Sequence, residues 1–128
     1  MHETTADTGA IELLLAQIPA GRRIGGDLNL SGAELRKLPA GLRVDGDLVL
    51  RGSRLRRLPK GLRVGGDLDL TDAWIEALPA NLRVGGDLVL VGTHVKALPK
   101  GLRVGGRLDL RTTPIRSLPK GLQVGGDL

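Results

Sequence analysis

Aliphatic residues recur along this chain in columns twenty residues apart, and polar residues and glycine fill the spaces between them. Sliding the sequence by that interval aligns LPAGLRVDGDLVL from Leu38, LPKGLRVGGDLDL from Leu58, LPANLRVGGDLVL from Leu78 and LPKGLRVGGRLDL from Leu98. A partial copy begins at Ile18, and another starts at Leu118 and runs to Leu128. Leu48, Leu68, Leu88 and Leu108 stand two positions before Leu50, Leu70, Leu90 and Leu110, an alternation that predicts a short strand with one buried face. Leu55, Ile75, Val95 and Ile115 form a further column, and others run from Leu38 to Leu118, Leu42 to Leu122 and Val44 to Val124.

A fixed period of this length is the mark of a stacked-repeat architecture. Aliphatic columns wrapped around each turn enclose a hydrophobic prism in which every coil buries its leucines only against its neighbours. Parallel strands about 4.8 Å apart then give a rod on the order of 25 Å long. Pro39, Pro59, Pro79, Pro99 and Pro119 fix one corner of each coil, outside the hydrogen-bonded ladder. Gly-Gly pairs such as Gly65–Gly66 and Gly85–Gly86 precede the strand, where a bend or a close backbone approach excludes a side chain.

The run LDLTDAWIEALP from Leu68 and its equivalents resemble the core pattern of leucine-rich repeats, LxLxxNxLxxLP, and the proline-bearing turn is similar to the bacterial twenty-residue members. The resemblance covers roughly residues 18 to 128 and implies a mainly β, right-handed parallel β-solenoid. Two departures stand out. The Asn of the family turn is replaced by Ala33, Ser53, Ala73, Thr93 and Thr113, and the first Leu of the strand segment by glycine. Backbone groups served by that Asn need other partners, because buried unpaired amides are costly. The expectation is therefore flatter coils with two short strands each, the far side extended rather than helical.

One domain is expected from 128 residues, with a tail and capping helix over residues 1–17 and a solenoid of about five repeats over 18–128, the last incomplete. Ile11, Leu14, Leu15 and Ile18 fall at helical spacing behind Asp7 or Thr8 as an N-cap, which predicts a capping helix over residues 8–17. The last coil carries no comparable cap, and a bare strand edge is a template for another chain, so homodimerisation through that coil is a further expectation.

Composition narrows the chemistry. Trp74 is the one aromatic residue, and Phe, Tyr and Cys are absent, so the core is aliphatic and thiolate catalysis and thiolate metal sites are excluded. The lack of cysteine fits a reducing compartment. Residues 1–20 carry Glu3, Asp7 and Glu12 without a basic leader, and no run approaches the roughly 20 apolar residues of a membrane span. A soluble cytoplasmic protein is expected, with leaderless secretion as the alternative and no membrane association. His2 and His94 are the only imidazoles, no catalytic triad or carboxylate pair falls in a plausible pocket, and the Gly-Gly pairs do not match a phosphate loop. No enzyme activity, cofactor or metal site is expected.

The net charge of +5 favours acidic partners in general terms. Arg43, Arg63, Arg83 and Arg103 form one charged column and Asp27, Asp47, Asp67 and Asp87 another, interrupted by Arg107. The leading reading interleaves them as an Arg–Asp ladder. An Arg stripe for phosphate and an Asp stripe for cations are the alternatives, although calcium loops carry denser oxygen ligands.

The outward strand positions vary from coil to coil: Asn29, Val49, Asp69, Val89 and Asp109 in one column, Ser31, Arg51, Thr71, Val91 and Arg111 in the next. Constant scaffold beside varied surface is the pattern of a recognition face, and equally of drift at solvent positions. Val89 and Val91 make a small apolar patch. Trp74 shares its column with Glu34, Arg54, His94 and Pro114 and is expected at the surface, as an interface anchor or in cation–π packing on its neighbours. The leading functional expectation is a protein–protein interaction module with Arg51, Asp69, Thr71, Trp74, Val89, Val91, Asp109 and Arg111 as its contact set. A second is an electrostatic binder of nucleic acid or another polyanion through Arg36, Lys37, Arg54, Arg56, Arg57 and Lys60, beside Arg51. Base stacking, however, would find only Trp74. A third is an element that assembles end to end.

Overall fold

Among the described residues, eleven two-residue strands, two to a turn, carry the hydrogen-bonded framework. They belong to a computed structural model whose described residues are 23–32 and 38–126. The odd-numbered strands, β1 (Arg23–Ile24), β3 (Arg43–Val44), β5 (Arg63–Val64), β7 (Arg83–Val84), β9 (Arg103–Val104) and β11 (Gln123–Val124), stack in parallel as a six-stranded arginine sheet. The even-numbered strands, β2 (Leu28–Asn29), β4 (Leu48–Val49), β6 (Leu68–Asp69), β8 (Leu88–Val89) and β10 (Leu108–Asp109), stack as a five-stranded leucine sheet. Every pairing joins residues twenty apart, for example Leu68 to Leu88 and Val64 to Val84. The chain is a mainly β, parallel solenoid repeat with two short strands per coil, and the far side is extended. The described residues contain no helix, and so none long and apolar enough to cross a membrane. The capping helix expected over residues 8–17 lies outside the described residues, as do Asp127 and Leu128.

The columns pack as the repeat demands. Leu48, Leu68 and Leu88 are wholly buried, as are Leu50, Leu70 and Leu90, and Leu55, Ile75 and Val95 close the third side. Leu42, Leu62, Leu82 and Leu102 with Val44, Val64, Val84 and Val104 line the inner face of the arginine sheet. A buried side chain of this size contributes about 1.5–3 kcal/mol, and each coil draws on it only through its two neighbours. Ile115, Leu122 and Val124 of the last coil are only half-buried, and Leu118 is exposed.

The Gly-Gly pairs allow the coils to close up at one corner. A Cβ at Gly85 or Gly105 would strike the carbonyl oxygen of Gly65 or Gly85 one coil below, and one at Gly86 would strike the Asp67 carboxylate. At this corner the direction of backbone donation reverses. The Gly66 N–H donates back to the Gly46 carbonyl, at 2.9 Å, whereas the Leu68 N–H donates forward to the Asp87 carbonyl, at 2.8 Å. The Asp67 N–H falls at the reversal, because the Asp47 carbonyl already accepts from Leu28. The Asp47 side chain takes its place and accepts from the Asp67 N–H at 2.7 Å. Asp27, Asp67 and Asp87 do the same for Asp47, Asp87 and Arg107.

The turn that follows each even-numbered strand closes on itself. The Ala73 and Thr93 N–H groups donate to the Leu70 and Leu90 carbonyls, and the Thr93 hydroxyl donates to the same Leu90 oxygen at 2.8 Å. The buried Ser53 N–H donates likewise to the Leu50 carbonyl, but its hydroxyl has no partner among the described residues.

Candidate binding surfaces

The outer face of the leucine sheet satisfies its own polar groups. Asp69 accepts from the Thr71 N–H and hydroxyl, and from the Arg51 guanidinium of the coil before, at 2.6 Å. Partial burial pushes the Asp69 carboxyl up, but the bonds from Thr71 and Arg51 outweigh it and hold it below the ordinary carboxylate value. Asp109 is held below its ordinary value mainly by the Arg111 guanidinium, which donates at 2.8 Å, and Arg111 is raised in turn. Asn29 accepts likewise from Ser31. Val49 and Val89, half-buried, stand between these polar coils, so no two carboxylates are adjacent in the column. Parallel strands about 4.8 Å apart would otherwise hold such charges in contact distance. Val91 is half-buried beside them.

Trp74 lies on another side. The turn at residues 71–72 carries the chain around a corner, so the expected contact set divides between the leucine sheet and the flank beyond it. Trp74 is 44 % exposed, and the Arg54 guanidinium sits 5.5 Å from its ring centroid, a cation–π contact. Below it a groove of about 660 Å³ is lined by Arg56, Trp74, Glu76, His94 and Lys96. These side chains point outward on either side of the buried Leu55, Ile75 and Val95. Arg56 and Glu76 approach to 4.0 Å across the groove wall. Glu76 and Lys96 are absent from the sequence-derived set, although the alternation around Ile75 signals that positions 74 and 76 share a face.

The second sequence-derived cluster is described only in part. Arg36 and Lys37 lie outside the described residues. Arg54 is committed to Trp74 and Arg56 faces Glu76. Arg57 lines a second groove with Leu38, Ala40, Leu58 and Pro59, which shares Arg56 and Glu76 with the first, and Lys60 stands at the following turn.

The Arg–Asp ladder does not form. The Asp column is occupied with backbone amides, and among the described residues no ion pair joins it to Arg43, Arg63, Arg83 or Arg103. These arginines stack in register on the outer face of their sheet, all exposed. Neighbouring charges at such spacing repel by about 1 kcal/mol in water. Only Arg23, at the start of the column, is paired, with Asp45 at 2.9 Å. Among the described residues no group of three metal-ligating side chains is found.

Compared with family models, with curated proteins and with solved structures, the chain matches none.

Proposed function

We propose that this solenoid is a non-enzymatic protein-binding module, a variant of the leucine-rich-repeat design acting in the cytoplasm, and that its contact surface centres on Trp74. The observation that carries the reading is an exposed Trp above a groove in a chain with no other aromatic residue. Trp and Arg dominate binding hot spots, and Trp74 is stacked with Arg54. The groove holds Arg56 and Lys96 against the single carboxylate of Glu76, so an acidic segment is the complementary partner. The coil-to-coil variety of Val89, Val91 and their neighbours on the adjoining leucine sheet supplies a rim. Because Asp69, Asp109, Arg51 and Arg111 are already bonded to one another or to Thr71, they act as rim rather than anchor.

Trp74 is also the only source of indole fluorescence and Tyr is absent, so its emission reports this surface alone. A protein retained by immobilised wild type, lost with Trp74→Ala and able to shift Trp74 emission when purified and added back would support the reading. Identical retained sets for wild type and Trp74→Ala would reject it.

A further inference from the structure

The arginine sheet carries a surface independent of Trp74. Arg43, Arg63, Arg83 and Arg103 are paired rung to rung in its register, so their backbone positions form one row along the solenoid axis, with every side chain exposed on the outer face. The row spans about 14 Å at the strand spacing of about 4.8 Å. Exposure alternates strictly here: Gly61, Arg63 and Gly65 face solvent while Leu62 and Val64 face the core, and the next coils repeat this with Asn81, Arg83 and Gly85. The positions flanking each arginine on the outer face are therefore glycine, with Asn81 and Asp45 as the departures. Gly61 and Gly101 have positive φ, 79° and 76°, and Asn81, a residue that tolerates that conformation, matches them at 62°.

The result is a file of fork-shaped donors with almost no side chains beside it, and among the described residues these four have no ion pair. The column is Arg from position 23 through 103 and never Lys, although Lys60, Lys96, Lys100 and Lys120 occupy other exposed sites. Arginine presents two parallel N–H groups to an oxyanion, which an ammonium does not.

We propose that this row binds a linear, base-free chain of phosphates, inorganic polyphosphate, laid along the solenoid axis. The charge pattern selects that occupant over its rivals. An extended acidic peptide places same-side carboxylates about 6.7 Å apart, twice its rise per residue, and slips out of step with the arginines within two rungs. A chain with an anionic group on every backbone unit meets each guanidinium without needing a register. Single-stranded nucleic acid is held by aromatic stacking as well as charge, and this face has no aromatic residue. A duplex presents phosphates on two strands across a groove, whereas the sheet offers one row.

The test is a binding titration of sodium polyphosphate of defined chain length to the full chain at two salt concentrations, with oligo-dT and poly-glutamate of matched charge as competitors. Wild type should bind polyphosphate and lose it steeply with salt. Arg63→Ser/Arg83→Ser should bind at least tenfold more weakly, with the salt slope reduced by about one to two. Its thermal melt shows whether it is folded. Arg57→Ser/Arg116→Ser, two exposed arginines off this row, should bind as wild type does, and Trp74 emission should stay unchanged throughout, which separates this surface from the Trp74 groove. No binding by wild type, equal weakening by both double variants, or equal displacement by oligo-dT or poly-glutamate would overturn the proposal.

Discussion

The two sheets share one hydrophobic core and one register, yet their outer faces treat charge in opposite ways. On the leucine sheet each carboxylate is bonded within its own coil or to the coil beside it, and Val89 separates the two acidic coils. On the arginine sheet like charges follow one another through four coils with glycine on almost every side. Stacking forces both faces to confront the same repulsion, because in-register parallel strands place equivalent side chains in contact distance. One face dissolves it by alternation and local pairing. The other leaves it standing, which is useful only when something anionic comes to it.

The contrast can be tested from within the core outward. Leu88→Ala, beneath the leucine sheet, should cost about 2–5 kcal/mol and lower the denaturation midpoint of the whole solenoid, the arginine sheet included, if the core is shared. Loss of amide protection confined to the leucine sheet would show two separate units. Gly85→Ala sets a Cβ against the Gly65 carbonyl and should cost about 1–3 kcal/mol in a chemical melt, and an unchanged midpoint would mean that the corner can open.

Asp69→Ala should cost about 1 kcal/mol, whereas Asp69→Asn keeps the acceptor for Thr71 as Asn29 does for Ser31 and should lose less. Asp69 has a folded-state pKa below its unfolded value, so its contribution is complete above about pH 4 and disappears as the pH falls through the folded value. The Asp69→Asn melt should therefore be flatter than wild type on the acid limb. The smallest effect has the opposite sign. Arg83→Ser should raise Tm by about 1–3 °C at low salt, and the gain should vanish at high salt, because it removes repulsion rather than a contact. A fall in Tm would show that Arg83 is already neutralised.

The fold is legible in the sequence because the repeat is nearly identical from coil to coil: the twenty-residue spacing of Leu48, Leu68, Leu88 and Leu108 is enough to announce a stacked column. The Asp column reads as a partner for the arginines because sequence shows spacing but not the reversal of backbone donation at Asp67, which creates an acceptor vacancy that the Asp47 carboxylate fills. Likewise Arg51, Asp69, Asp109 and Arg111 read as free recognition groups, since side-chain bonds two or eighteen residues apart leave no periodic trace. Glu76 and Lys96 carry no signal of rarity, unlike Trp74, and only the groove that they share with it sets them apart from other exposed charges.

From Asp27 to Asp87 the carboxylate ladder makes the coil a self-templating unit, in which each turn offers the next one an acceptor like the one it received from the turn before. Inserting or deleting one whole repeat of twenty residues leaves every rung intact, while a single-residue insertion puts all later rungs out of phase. A gene of near-identical segments changes length by whole units when copying slips. The length of the arginine row, and with it the avidity for a long anion, is thus a quantity that duplication can adjust without redesigning any coil.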